Sequence, residues 1–341
     1  MKVLITGANG LLGANLIRKL IKANMEVKAF VRPSADLRSL KDVPCQLFRG
    51  DIQVYEDLYQ ALSDCDAVVH AASTTSVLPR DFAYYKNINF NSTKNIVQAV
   101  LRQNNKRLVH VSTANVFGPG SKENPGSESS PFTLGHYKSG YINSKYIAQE
   151  YVLKKVNEYN LNAVVVNPTF IIGAYDSKPS SGKMILHGLK HGMQWYPSGG
   201  KNFVHVRDVA QGIIRALEIG RNGQCYLLAG ENLTYREFFS QLNQVSGRKP
   251  IQIRIPKGLI RFSAKIADAW SSLIKQPLAF NKSNAQLLCL DNYYTGKKAA
   301  QEFGLQTTPV KSGIEEALSW FRKENYISED NYSTHGTSFD L

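Results

Sequence analysis

Apolar positions along the chain switch between two spacings. Lys2 to Thr6 is a short apolar run, and Leu11 to Ala23 then carries Leu12, Leu16, Ile17 and Leu20 at helical spacing. Glu26 to Val31, Cys45 to Phe48, Asp66 to Ala71, Arg107 to Ser112 and Leu161 to Asn167 read as further short strands. Val54 to Leu62, Asn91 to Gln103 and Gly140 to Tyr159 read as helices between them. Strands apolar at nearly every position are buried on both faces, and strands that alternate with helices predict an α/β fold built on a doubly wound parallel sheet.

From about Pro168 the rhythm changes. Glycines and prolines multiply between Gly173 and Gly200, and short elements follow, such as a strand at Gln224 to Leu228 and a helix at Tyr235 to Ser246. The pattern predicts a sheet domain over residues 1–170, with later segments such as 202–230 crossing back to it. Residues 171–326 are expected to form mainly a smaller C-terminal lobe, which would bind substrate if the chain is an enzyme, and 327–341 a loose polar tail. There is no internal repeat and no low-complexity tract.

Composition narrows the class. With 341 residues, 43% apolar and 20% charged, the chain is an ordinary globular one, neither disordered nor a disulfide scaffold. Lys and Arg number 41 against 27 Asp and Glu, a net charge of +14. That favours anionic partners, and a bound anionic cofactor accounts for it without nucleic acid. Cys45, Cys65, Cys225 and Cys289 form no CxxC pair, which leaves zinc or thioredoxin-like chemistry without support and suits a cytoplasmic location with reduced thiols. No metal site is expected. Glycines break the first apolar stretch, and Arg18 and Lys19 stand where a leader would be cleaved, so that stretch reads as folded structure.

One charged stretch stands apart. Residues 249–298 hold nine Lys or Arg and two Asp, a net +7. Within it, Lys257 to Lys275 predicts a basic amphipathic helix over the substrate entrance, of a kind that binds anionic membranes. The favoured reading is that its apolar side packs on the protein's own core.

Thr6-Gly7-Ala8-Asn9-Gly10-Leu11-Leu12-Gly13 follows a strand and opens a helix. Gly7 and Gly10 permit turn angles and a close approach of backbone to phosphate, and Gly13 lets helix and strand pack closely. The helix N-terminus would then face a pyrophosphate. The context of strand, loop and helix supports nucleotide binding. At the end of the second strand, where a carboxylate would hold the ribose of NAD, stands Arg32, which could grip a 2′-phosphate. NADP is therefore expected. NAD remains the alternative if Asp36 holds the ribose.

Tyr141 and Lys145 lie four apart on a predicted helix and so share a face. A tyrosine, with a pKa near ~10, is a poor base at neutral pH, and a neighbouring ammonium would lower that value. Ser112 and Thr113, at the end of the fifth strand, each carry a hydroxyl that could donate a hydrogen bond to a substrate oxygen. Only Tyr141 has a lysine four residues later, and Gly140 near the helix start leaves Tyr137 in the preceding loop, facing substrate at most.

These strings together resemble the extended short-chain dehydrogenase/reductases of the NAD-dependent epimerase/dehydratase family. The resemblance runs over about residues 1–325, and its dihydroflavonol 4-reductase-like and 3β-hydroxysteroid dehydrogenase-like branch matches best. Its motifs are the GxxGxxG spacing, Ser112-Thr113-Ala114-Asn115-Val116-Phe117-Gly118, the Tyr141/Lys145 pair, and Phe203-Val204-His205-Val206-Arg207-Asp208-Val209-Ala210. Tyr294 to Gly304 resembles the family's C-terminal element.

The resemblance implies a Rossmann fold and a catalytic set of Thr113, Tyr141, Lys145 and Asn89. Asn89 would support the active-site backbone from just before a helix. The implied cofactor cleft comprises Gly7, Asn9, Gly10, Leu11, Gly13, Arg32, Asp51, Ile52, Ala71, Ala72, Tyr141, Lys145, Pro168, Thr169 and Phe170. Substrate contacts are expected from Thr75, Tyr137, Tyr175 and Trp195, with Phe82 and Tyr84 as further aromatic candidates. Ala114-Asn115 stand where 4,6-dehydratases carry Asp-Glu, which argues against elimination. The leading expectation is reduction of a carbonyl, or oxidation of the alcohol, on a small apolar or mixed-polarity substrate. A nucleotide-sugar epimerase with retained NAD(P) is the alternative, and a non-catalytic NADP-binding regulator is disfavoured by the intact Tyr-Lys-Thr set. The expected assembly is a monomer or homodimer without nucleic acid.

Overall fold

The computed structural model describes residues 1–76, 81–190, 192–274, 276, 278 and 280–327. Its first half runs β1 (Lys2–Thr6), α1 (Leu11–Lys22), β2 (Glu26–Val31), β3 (Gln46–Arg49), α2 (Tyr55–Leu62), β4 (Ala67–His70), α3 (Phe82–Tyr85), α4 (Ser92–Arg102), β5 (Arg107–Val111), α5 (Gly140–Tyr159) and β6 (Ala163–Pro168). The second half runs β7 (Phe170–Ile172), α6 (Gly182–Leu189), β8 (Met193–Pro197), β9 (Gly200–His205), α7 (Val206–Ile219), β10 (Cys225–Leu228) and β11 (Glu231–Thr234). It continues through α8 (Tyr235–Ser246), β12 (Ile251–Ile255), α9 (Lys257–Ile274), α10 (Lys282–Leu288), β13 (Asp291–Asn292), α11 (Lys297–Phe303) and α12 (Val310–Lys323).

Seven strands form one sheet in the order β10-β6-β5-β4-β1-β2-β3, every neighbouring pair parallel. Consecutive side chains point to opposite faces, and both faces are covered. Val3, Ile5, Ala67, Val69, Val109, Val111, Val164 and Val166 pack into the layer that contains α1 and α7. Leu4, Val68, Leu108, Ala163 and Val165 pack into the opposite layer, with α2, α4 and α5. This is a doubly wound, Rossmann-like sheet. Its strand order reverses between β1 and β4, and in open α/β sheets the ligand crevice lies beyond the carboxyl ends of the strands at such a reversal.

The C-terminal elements add a third core around Phe203, Phe238, Phe239, Ile314, Leu318 and Phe321. There β9 pairs with β7, β11 and β13, and β8 pairs with β12 in a separate ribbon. Meanwhile β10 leaves this lobe and completes the main sheet beside β6. The chain is packed up to the last described residue: Ile327 is buried and the Tyr326 hydroxyl donates to the Ser177 carbonyl at 2.5 Å. Residues 328–341 lie outside the described residues.

One local reading gains detail and another changes. Asn89 does lie just before α4, but not in a loop. It sits within a π-helical turn, Lys86–Asn91, that joins α3 directly to α4. The helix α9 does not pack its apolar stripe on the core either, contrary to the favoured reading. Only Ile260 and Ala264 are buried, against Ala285 and Cys289 around α10, because the helix docks through this narrow face. Leu259, Phe262, Ile266, Trp270 and Leu273 point away from it and are 57%, 62%, 56%, 57% and 73% exposed.

Candidate active site

The loop after β1 forms the floor of the crevice. Gly7 has φ +71°, and a Cβ there would lie 2.8 Å from the Ala72 backbone nitrogen. Glycine is thus required both for the left-handed turn and for the approach of the segment after β4. A Cβ on Gly13 would lie 2.8 Å from Ala8 Cα and closer still to the Gly7 carbonyl. Gly10 differs from the sequence expectation: its backbone is extended, at φ −85° and ψ 170°, and a Cβ would meet nothing nearer than 3.4 Å. As the residue preceding α1 it contributes absence of bulk, not an unusual turn.

The first turn of α1 has no side-chain cap and no acidic residue, so its N–H groups and the helix dipole are available to an anion. Leu11, its first residue, is buried. Asn9 acts as a pin. Its Nδ2 donates to the Asp36 carbonyl at 2.9 Å, and its own carbonyl accepts from Ser39 Oγ at 2.9 Å.

At the end of β2, Arg32 is exposed. The Asp36 carboxylate accepts from Arg38 Nη2 at 2.8 Å and Nε at 3.0 Å, and those bonds hold it below the usual carboxylate range. The residue that could have served a ribose is already engaged. After β3, Asp51 accepts from the Gln53 backbone at 2.9 Å, which fixes an Asx turn, and its own N–H donates to Asp57. Ile52 is half-buried beside the α2/α4 core. Ala71 and Ala72 leave the wall after β4 free of bulk, and Ala72 N–H donates to Thr6 Oγ1 at 3.2 Å. His70 is a neutral core residue. Burial, then the Lys145 charge, lowers its pKa to about 3, and its ring nitrogens meet Thr6 Oγ1 at 2.9 Å and Ser92 Oγ at 3.4 Å.

Thr113, Tyr141 and Lys145 come together at the end of β5. Burial raises the Tyr141 phenol above its ordinary value, and the neighbouring Thr113 hydroxyl opposes that rise. This contact separates Thr113 from Ser112, whose hydroxyl is buried without a partner among the described residues. Lys145 is buried, and its Nζ donates to the Val111 carbonyl at 2.6 Å. Burial lowers its pKa to about 7. The expectation that Lys145 depresses Tyr141 is not met here. The ammonium lies against the β5 carbonyl, desolvation discharges it near neutrality, and its influence falls on His70 and His110.

Asn89 ties this centre to the adjoining loop. Its Oδ1 accepts from Thr74 N–H at 2.8 Å and Ser73 Oγ at 3.1 Å, while its Nδ2 donates to Ser144 Oγ at 2.9 Å. Ser144 in turn donates to the Tyr141 carbonyl at 2.9 Å. Asn89 therefore holds the loop carrying Thr75, which is exposed, against the helix turn carrying the tyrosine and lysine. Residues 77–80, between the expected substrate contacts Thr75 and Phe82, lie outside the described residues.

Sequence reading missed a second pin. Buried Asn167 donates through Nδ2 to the Thr113 carbonyl at 3.0 Å and to Gln149 Oε1 at 2.7 Å, locking β6 and α5 onto the backbone of Thr113. The signal was present, since Gln149 lies four residues beyond Lys145 on the same helical face. Gly140 opens α5 as expected, and the structure adds the reason: a Cβ there would strike the Tyr85 ring, so glycine lets α5 start against α3.

The remaining candidates divide. Pro168 is buried at the end of β6. Thr169 spends its hydroxyl on Asn202 Oδ1 at 2.7 Å, and Phe170 packs edge-on against Phe203. Tyr137 occupies the turn before α5, its ring 3.9 Å from that of His136. Tyr175 is not brought to this centre. Its ring lies under the Arg18 guanidinium at 3.7 Å and beside Trp320, behind α1. Trp195 is half-exposed on the β8–β12 ribbon, and Phe82 and Tyr84 are exposed on α3. Lys201, in register with Asn292, emerges beside Phe170. Burial lowers its pKa to about 8. No sequence motif had marked it. Among the described residues no cluster could hold a metal ion.

The residues fit a dinucleotide. An uncapped helix N-terminus lies behind a glycine loop, small residues line the wall, and a buried lysine and a tyrosine stand at the far end.

Comparison with known proteins agrees with this geometry. The model of the NAD dependent epimerase/dehydratase family matches residues 3–229. A Synechocystis sp. protein, named provisionally as a dihydroflavonol 4-reductase, is 28% identical over 333 residues, covering 95% of each chain. Sterol demethylase protein B of Methylococcus capsulatus is 28% identical over 332 residues, covering 96% of this chain and 100% of its own. The crystal structure of gox2253 superposes with a TM-score of 0.85 at 28% identity, covering 96% of this chain and 99% of that one.

Proposed function

The chain belongs to the NAD dependent epimerase/dehydratase family and is an NAD(P)-dependent oxidoreductase of the extended short-chain type, and from that premise we propose that it reduces a ketone on a small, largely apolar molecule, with NADPH as the preferred donor. The observation that carries this reading is the convergence of Tyr141, Thr113 and Lys145 at the end of β5. Ala114-Asn115 follow Thr113, so no second acid is placed for elimination.

The nicotinamide, when bound, supplies the hydride. The protein's part is positioning and proton transfer. Thr113 Oγ1 donates to the substrate oxygen and holds it against Tyr141. The Tyr141 hydroxyl gives its proton to that oxygen as negative charge develops. With its pKa above the ordinary tyrosine value, the phenol is protonated near neutrality and so has a proton to give. Lys145 orients the cofactor ribose from the same helical face, and Asn89 keeps the adjoining loop and helix in register. The names of the two relatives above, a sterol demethylase protein and a dihydroflavonol 4-reductase, support an apolar ring system as the substrate class.

NADP preference rests on exposed Arg32 and on the engagement of Asp36 by Arg38. The test is steady-state reduction of a ketone panel containing a 3-oxosteroid and a dihydroflavonol, with NADPH and NADH compared. Ketone-dependent turnover with NADPH favoured at least ~10-fold is expected, and Arg32→Asp should reverse the preference. Equal use of both cofactors would overturn the NADP assignment. Tightly retained cofactor with no ketone turnover, together with interconversion of sugar nucleotides, would overturn the reductase reading.

A further inference from the structure

We propose that the exposed stripe of α9 docks the protein, in the plane of the surface, onto an anionic lipid bilayer. Leu259, Phe262, Ile266, Trp270 and Leu273 are each more than half exposed. Their spacing of three and four residues aligns them along one side of the 18-residue helix. The helix is thus wet along its most apolar side. Folded chains seldom leave large apolar groups exposed in a row unless a partner covers them.

Charge selects the partner. The described part of α9 carries three exposed cations, Lys257, Arg261 and Lys265, against one carboxylate, Asp268, which accepts from the Lys282 backbone at 3.3 Å. Exposed Arg254 and Lys282 flank the helix on either side in the chain. The ribbon that feeds α9 repeats the combination. Met193, Trp195 and Ile251 are 50%, 49% and 66% exposed, and Met193 and Ile251 are partners in register. Large apolar side chains with Lys and Arg beside them match the shallow acyl boundary and the headgroups of an anionic leaflet. Among the described residues no helix is long and apolar enough to cross a membrane, so the contact is in-plane.

The place of the stripe adds a consequence that rests on the proposed site. The helix α9 packs on α10, and α10 contacts the turn Leu134–Tyr137 that leads into Tyr141. Docking through α9 would set the approach to the tyrosine beside the lipid, from which an apolar ketone could enter without crossing water.

The experiment is co-sedimentation of the full-length protein with vesicles of phosphatidylcholine alone or with phosphatidylglycerol, at low and physiological salt. Binding to the anionic vesicles is expected, weakened by salt and by Arg261→Gln with Lys265→Gln. Phe262→Glu with Trp270→Glu should cut binding roughly tenfold or more, while the melting temperature and NADP(H) binding stay unchanged, since both side chains are exposed. Brominated lipid should quench Trp270 emission, and Trp270→Phe should abolish that component. No sedimentation with anionic vesicles at low salt would overturn the proposal, as would binding undiminished by the double glutamate variant. A vesicle-indifferent protein whose dimer is dispersed by the same variant would assign the stripe to a second copy instead. Because the readout is lipid binding, it succeeds or fails independently of the ketone assay.

Discussion

Replacing Lys145 by methionine should abolish turnover and yet stabilise the unliganded protein at low pH. The Lys145 side chain is 2% exposed, its described partner is the Val111 carbonyl, and burial brings its pKa from 10.5 to about 7. Below pH 7 the lysine is charged in both the folded and unfolded states, so the full burial cost is present. Between 7 and 10.5 the unfolded chain holds a proton that the folded chain lacks, so wild-type stability rises with pH through that window. The shift corresponds to about 5 kcal/mol as an upper bound. Methionine fills similar space without charge but loses the hydrogen bond to Val111, worth ~1 kcal/mol. A net gain of about 2–3 kcal/mol at pH 6 is reasonable on that scale. With an unfolding entropy of roughly 2.1 cal/mol/K per residue, this raises the melting temperature by about 3–4 °C. Melting curves of both proteins should be recorded near pH 6 and near pH 9.5, without cofactor. The difference should shrink severalfold at the higher pH. A Lys145→Met protein that melts lower at pH 6, or a difference that does not change with pH, would refute the claim that the site lysine is held at the expense of fold stability.

Other expectations follow from the same contacts. Tyr141→Phe should lower turnover by ~10²–10⁴ with cofactor affinity retained, whereas Tyr137→Phe should change mainly KM; steady-state kinetics with cofactor titration separates them. Gly13→Ala places a methyl against the Gly7 and Ala8 backbone, so it should cost about 1–3 kcal/mol and weaken NADP(H) binding at least ~10-fold, measured by melting and calorimetry. Asn89→Ala removes the link from Thr74 to Ser144 and should lower kcat more than it raises KM; an effect confined to KM would deny Asn89 a role in holding Tyr141 and Lys145.

Much of this protein could be read locally. Strand β2 and helices α5 and α8 have the bounds their apolar spacing predicted, and the loop from Gly7 to Gly13 lies between β1 and α1 as its glycines require. Tyr141 and Lys145 share a face because a four-residue step along a helix admits no other outcome. These features depend on backbone geometry within a turn or two, which the order of residues specifies directly.

Tertiary packing decided the rest. Lys145 meets a carbonyl 34 residues away, and Asn89 reaches Ser144 across 55 residues. Asn167 pins Thr113 from 54 residues beyond. Tyr175 stacks under Arg18 instead of entering the site, and Arg38 claims the carboxylate of Asp36. The apolar stripe of α9 has the same spacing whether it is covered or bare, and only the docking of Ile260 and Ala264 against α10 turns it outward. Spacing specifies which side chains share a face, whereas burial, and with it the charge state of Lys145, depends on what the rest of the chain brings to that face.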